Sequence, residues 1–369
     1  MRDYHGIIFA YNTSPELGML VNKRTAASLP FCGRYRLIDF ALSSMRNAEI
    51  VNVGVIMQRD YQSLLDHIGS GKAWDLSRKR GGIRMLPPFG LPDYHRGNYN
   101  GTLEALNGVA GYVKGIKQSH VVLMLGNVCS NIDLSAAIKK YQADGADMMA
   151  ICANKDPEGT HHRYLLDENG FVTRMLYDRV GGEGVPSLEA FIIRKDTLVD
   201  LMDKCKALEL HRFHKDAIPL YLSEGGKIST YMHTGYASII DSVDEYYNSS
   251  MDMLDPAKRS QIFPAERPVR TRDMEGVSTY YGEKSSAKNS LVADNCIIEG
   301  SIENCIVFSG ARIKEGAKLK NCIIMRGCTV GKDADLEYVI ADKYASFADN
   351  AVMIGSAKLP VIVPKDTAI

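Results

Sequence analysis

The stretch Gly310-Ala311-Arg312-Ile313-Lys314-Glu315-Gly316-Ala317 sets one large aliphatic side chain among small and charged neighbours. The same arrangement recurs along the C-terminal part of the chain. Apolar residues fall at Val292, Ile297, Ile302, Val307, Ile313, Leu319, Ile324, Val330 and Leu336, five or six residues apart. An amphipathic helix would space them by three or four and an alternating strand by two. The longer period matches a parallel β-helix, in which each rung stacks an aliphatic residue on the one below. Phe347, Val352 and Ile354 extend the pattern, less regularly, toward the C-terminus.

Upstream the pattern changes twice. Residues 256–290 carry prolines and charges with little periodicity and read as a linker. Residues 1–255 alternate apolar runs with amphipathic segments. Gly6–Ala10, Val51–Met57, Val121–Leu125, Met148–Ala153 and Ala190–Ile193 read as strands. Arg36–Ala48, Tyr61–Ile68, Gly101–Val113, Leu134–Ala143 and Asp196–Leu208 read as helices. This alternation predicts an α/β domain with a Rossmann-like, mainly parallel mixed sheet. Ligands of such sheets sit at the carboxyl ends of the strands, which places Tyr11–Leu17 and Gly126-Asn127 at the candidate site. The expected domains are therefore 1–255, the linker 256–290, and a β-helix over 291–369.

Composition narrows the function. Forty-four basic residues balance forty-four acidic ones, which argues against a nucleic-acid partner or an acidic membrane surface. No apolar run is long enough to span a bilayer. The opening Met1-Arg2-Asp3-Tyr4-His5 lacks the long apolar core of a signal peptide, so a cytoplasmic location is expected. The eight cysteines show no metal-ligand spacing and read as buried free thiols.

Several separated motifs carry a family resemblance. Arg34-Tyr35-Arg36-Leu37-Ile38-Asp39-Phe40-Ala41-Leu42-Ser43, Ile68-Gly69-Ser70-Gly71-Lys72-Ala73-Trp74-Asp75-Leu76 and Gly82 to Pro88 resemble stretches of glucose-1-phosphate adenylyltransferase, also called ADP-glucose pyrophosphorylase. The resemblance covers nearly the whole chain and implies a left-handed β-helix behind the nucleotidyltransferase domain. The family joins ATP to glucose 1-phosphate and releases pyrophosphate. Gln58, Tyr99, Gly101 and Thr102 fall where it contacts the nucleotide. Lys23 and Arg24 fall where its members place basic residues near an anionic effector. Alone, these two charges also read as exposed loop residues.

The chemistry departs from that pattern. A phosphate cradle needs glycines, so that backbone N–H groups can approach the oxygens, and a cation. Here Gly6-Ile7-Ile8-Phe9-Ala10 runs into Tyr11-Asn12-Thr13-Ser14-Pro15-Glu16-Leu17, with no glycine until Gly18 and with Glu16 at the family's arginine position. Ala26 replaces a phosphate-binding lysine. Asn127 replaces an aspartate that would hold magnesium, and Ile239 aligns with the second metal aspartate. Asp178 lies at the sugar-phosphate lysine position, with Arg179 a partial substitute. If each lost phosphate contact costs on the order of 10²–10³ in rate, several together abolish useful turnover.

The resemblance therefore implies a non-catalytic D-type subunit of bacterial glycogen synthesis. No cofactor is expected for this chain, and magnesium is expected in a homologous catalytic partner. The expected assembly is a heterotetramer, or a homo-oligomer when alone. A competent adenylyltransferase with unorthodox phosphate contacts is the alternative. A β-helix acyltransferase would need a histidine base, yet all nine histidines lie at or before His233. Four further residues have plainer readings: Asp39 as a helix cap, Trp74 as packing, and His161-His162 as a surface loop.

Overall fold

A computed structural model describes residues 3–11, 14–79, 81–87, 99, 101–157, 162–177, 182–273 and 276–369. In chain order the first part holds strands β1 (Tyr4–Phe9), β2 (Pro30–Phe31), β3 (Tyr35–Arg36), β4 (Asn52–Ile56), β5 (Gly82–Leu86), β6 (His120–Leu125), β7 (Val128–Ser130), β8 (Met148–Ala153), β9 (His162–Leu166), β10 (Val172–Tyr177), β11 (Val185–Arg194), β12 (Ile228–His233) and β13 (Ala237–Ile239). Its helices are α1 (Ile38–Asn47), α2 (Gln62–Ile68), α3 (Thr102–Gly108), α4 (Ala110–Lys114), α5 (Leu134–Asp144), α6 (Lys195–Ala207), α7 (Ile218–Ser223), α8 (Val243–Asp252) and α9 (Pro256–Ile262).

β1 lies parallel between β4 and β6, with β5 parallel beyond β4. β11 runs antiparallel between β6 and β8, and β12 is parallel beyond β8. The sheet is thus mainly parallel, with a reversed strand inside it. β1 and β8 are buried on both faces, which is why they read as continuous apolar runs. Ile7, Leu123 and Phe191 pack toward α3 and α6; Ile8, Val122 and Ile192 pack toward α1 and α5. The single helix expected over Gly101–Val113 is two. It breaks at Val109, just after Gly108, whose missing side chain lets the Tyr99 ring close in: a Cβ there would sit 3.0 Å from the ring.

From Tyr280 the chain winds into three parallel five-stranded ladders, a left-handed β-helix. Inward residues stack as Ile298, Ile313, Val330 and Phe347 in one ladder and as Ile302, Leu319 and Leu336 in another. Three positions differ from the sequence reading. Ile298, not Ile297, faces the coil interior. Val352 and Ile354 are exposed, while Met353 between them packs on the core, as strand alternation requires. Asn304 and Asn321 turn corners with φ of 51° and 54°, and their side-chain amides link one rung to the next at 3.2 Å.

Parts of the stretch read as a linker hold regular structure. α9 occupies its start, and Tyr280–Tyr281 and Ser286–Lys288 already pair with the next rung. Between them the chain is pinned to the first domain. Arg270 N–H donates to the Ser43 hydroxyl at 2.8 Å, and the Trp74 indole donates to the Arg270 carbonyl at 3.1 Å. Trp74 is fully buried, in the packing role expected of it.

The coil also shares a core with the first domain. Ile306, Ile323 and Ile340 follow one another on the outer side of the third ladder, and all are fully buried. They meet Leu17, Leu20, Phe31 and Tyr246. One outer face of the β-helix is therefore an interface within the chain.

Candidate functional site

At the carboxyl ends of β1 and β6, beside the amino-terminal half of β11, a cavity of about 350 Å³ opens. Tyr99, Gly101 and Thr102 all line it, so three of the expected nucleotide contacts meet there. Gln58 is buried just past β4 and does not line that cavity.

The described residues of the loop after β1 are held by apolar packing. Tyr11 is buried, its ring 6.1 Å from Phe9 and 5.3 Å from Tyr99 in edge-on contacts. Asn12 and Thr13 lie outside the described residues. The Ser14 hydroxyl then accepts from Glu16 N–H and caps a short 3₁₀ turn over Pro15–Val21. Leu17 and Leu20 anchor that turn in the interdomain core, leaving Glu16 exposed. Ala26 is fully buried in the same core, where a lysine would bury an unpaired charge. Gly126 has no room for a side chain, since a Cβ would lie 2.9 Å from the Ala27 methyl.

Asn127 and Ile239 are brought together, as the alignment of motifs expects, because β13 pairs with β7 and sets Ile239 opposite Val128. Ile239 is buried among Phe9, Tyr11 and Leu125. The polar partner of Asn127 is a residue that no motif singled out. Its Nδ2 donates to Asp241 Oδ1 at 2.9 Å and to the Ile240 carbonyl at 3.0 Å. Burial, then the nearby Glu189 and Glu245, push the Asp241 carboxyl up to about 7, and the Asn127 hydrogen bond opposes this. A magnesium ion asks for carboxylate or phosphate oxygens. Here an isoleucine and an amide N–H stand against a single carboxylate, and the amide dipole takes the place of the cation. These residues do not fit the metal.

Across the cavity, His162 Nδ1 lies 2.9 Å from Glu189 Oε1, and His214 Nδ1 lies 3.9 Å from Glu189 Oε2. The two imidazoles stack with centroids 4.8 Å apart. Burial holds the His214 imidazole down to about 4, so it is neutral near pH 7. His162 is thus a strand residue facing the cavity rather than part of a surface loop; His161 lies outside the described residues. Asp178 and Arg179 also lie outside them, directly after Tyr177, whose ring lines the cavity.

The two effector candidates part company. Lys23 is exposed, but Arg24 is buried and ion-paired with Asp342 of the β-helix at 2.5 Å. Arg24 therefore closes the domain interface and is not an exposed ligand arm. A different basic cavity, of about 450 Å³, lies between the domains. Arg34, Arg36, Arg272, Arg326 and Lys343 line it, with Asp273. His67 also reaches it, its Nε2 2.6 Å from Asp39 Oδ1. Asp39 sits inside the first turn of α1 rather than at its cap, with Oδ2 accepting from Arg36 N–H at 2.9 Å. Sequence spacing could not show this cavity, because its cations come from both domains.

A mainly parallel sheet with its cleft at the strand ends, backed by a left-handed β-helix, defines a sugar-nucleotide type of nucleotidyltransferase architecture. Matching family models bear this out: "Nucleotidyl transferase" over residues 17–164 and "GlmU-like, C-terminal hexapeptide" over residues 276–358. The chain is 33% identical to the glycogen biosynthesis protein GlgD of Bacillus subtilis, over 98% of this chain and 95% of that one. It is 34% identical to GlgD of Geobacillus stearothermophilus, over 85% and 81%. Glucose-1-phosphate adenylyltransferase of Pseudothermotoga lettingae is 28% identical, over 86% and 76%. The chain belongs to the glucose-1-phosphate adenylyltransferase family, among its GlgD glycogen biosynthesis proteins. Among the described residues no helix is long and apolar enough to cross a membrane.

Proposed function

We propose that this chain is an accessory, regulatory subunit of glucose-1-phosphate adenylyltransferase in glycogen synthesis, with little or no activity alone. The observation that carries the reading is the Asn127–Asp241 pair beside Ile239, an amide and an isoleucine where the reaction needs metal-binding carboxylates. Tyr11 and Ala26 support it, since each gives up a phosphate contact to apolar packing. The described sheet and β-helix around the altered site are retained, which suits a chain whose surfaces rather than whose cleft are used. In this reading the chain works in the cytoplasm, in a hetero-oligomer with an intact homologous subunit. That subunit holds the magnesium. An effector anion binds in the interdomain cavity of Arg34, Arg36, Arg272, Arg326 and Lys343.

The test is pyrophosphate release from ATP and glucose 1-phosphate with magnesium, by this chain alone and co-purified with an intact homologue. Background turnover alone, co-elution on size exclusion, and a changed rate or effector response of the mixture are expected. Robust turnover by the isolated chain would return the alternative, a competent adenylyltransferase with unorthodox contacts.

A further inference from the structure

Glu189 holds an unusual backbone conformation. Its φ is 52°, in the left-handed region that L side chains avoid and glycine enters freely. The residue sits at an irregularity in β11, where the pairing with β8 shifts between Ser187 and Ala190. Its N–H is held by the Ser187 hydroxyl at 3.0 Å. A glycine would suit this bulge better on conformational grounds alone. Strain kept at a cavity wall points to a use for the side chain.

The side chain enters the cavity at the carboxyl ends of the strands. Without it, the charged and titratable groups on the cavity wall would be His162, His214, Arg212 and Lys215, together with the phenols of Tyr11, Tyr99 and Tyr177. The four nitrogen side chains among them are all basic in type. Glu189 places one carboxylate among them, its two oxygens directed at the two imidazoles. A phosphate monoester entering the cavity would ask for those same donors.

We propose that Glu189 is the built-in occupant of an anion subsite: its carboxylate takes the donors that a phosphate monoester would use and keeps such ligands out of the cavity. This goes beyond the loss of metal and phosphate-loop contacts, because it adds a group that repels ligand. It also makes the exclusion separable from catalysis.

The experiment measures binding of glucose 1-phosphate by calorimetry in the full chain. Arg272→Ala and Arg326→Ala are present throughout to weaken the interdomain basic cavity. Histidine-ring NMR, with His162 assigned through His162→Gln, reports which cavity is occupied. In this background Glu189→Gly is expected to bind at least about tenfold tighter than the chain with Glu189 retained, and to shift the His162 resonances. Glu189→Gln, which keeps the shape but not the charge, should fall between the two. The glycine variant removes the strained conformation, so its melting temperature should be unchanged or higher, and misfolding does not cloud the outcome. Equal affinity with and without Glu189 overturns the proposal. So does tighter binding that leaves His162 unmoved. Turnover is not measured, so failure here leaves the accessory-subunit reading standing, and a failure of that reading leaves this result intact.

Discussion

Asn127 directs its amide N–H at Asp241, and that single polarity decides what the centre can hold. Asp241 already titrates upward, to about 7 against an ordinary 3.8. The folded state therefore binds more protons than the unfolded chain between these values, and stability from this group falls as pH rises through that window. Asn127→Asp would replace the donated hydrogen bond with a second carboxylate. The pair would then share one proton, and the loss would deepen and reach to higher pH. We expect the variant to melt close to the parent at pH 5, and to be about 1–3 kcal/mol less stable at pH 8. Thermal denaturation across pH checks this; an equal or higher melting temperature at pH 8 would mean the amide does not serve as the cation's substitute. Pyrophosphate release should stay at background, because Tyr11, Ala26 and Ile239 remain. At this scale Ala26, Asn127 and Ile239 were legible, since each sits at a fixed offset inside a motif. Glu189 and Asp241 were not. Glu189 meets His162 across 27 residues and Asp241 meets Asn127 across 114, through strand pairing that no local spacing encodes.

The β-helix shows the same limit in its elements. Its period was readable because interior stacking forces an aliphatic residue once per side of each rung. The face covered by the first domain was written too, in the triplets Cys305-Ile306-Val307, Cys322-Ile323-Ile324 and Val339-Ile340-Ala341. In each, the middle, outward residue is apolar where an exposed strand would be polar. A five-to-six-residue spacing absorbs these residues as neighbours of the interior ones and misses their direction. Ile323→Ala should cost about 2–4 kcal/mol in denaturant unfolding, as a cavity in a closed core does. Ile354→Ala, on the exposed face, should stay within about 0.5 kcal/mol. Equal costs would mean that the coil does not bury this ladder on the first domain in solution. The buried Arg24–Asp342 pair crosses the same interface. Arg24→Met strands a buried carboxylate and should cost about 3–5 kcal/mol. Adding Asp342→Asn should recover most of that loss, as a double-mutant cycle would read out.

Across the whole molecule, the basic cavity between the domains joins these features, because Lys343 follows Asp342 directly in the chain. Burial, then Arg36 and Arg24, hold the Lys343 ammonium down to about 7, while Asp342 pulls the other way and Lys365 adds to the lowering. An ordinary lysine titrates at 10.5. Without a ligand, then, the unfolded chain binds more protons between these values, and this group's contribution to stability rises with pH from about 7 upward. A bound dianion reverses the balance by favouring the charged ammonium. Binding must then take up a proton above pH 7, and affinity must fall as pH rises. Sulfate is the useful probe, because it is fully ionised throughout and adds no titration of its own. Its affinity should drop about tenfold between pH 6.5 and pH 8.5. Calorimetry in buffers of different ionisation enthalpy should register the proton taken up. Lys343→Ala should flatten the profile, whereas Arg272→Ala should weaken sulfate at every pH and leave the slope in place. A parent protein whose sulfate affinity does not change with pH would show that Lys343 keeps its proton in the free cavity. The Arg34, Arg36, Arg272 and Arg326 guanidiniums would then have to account for anion binding without it.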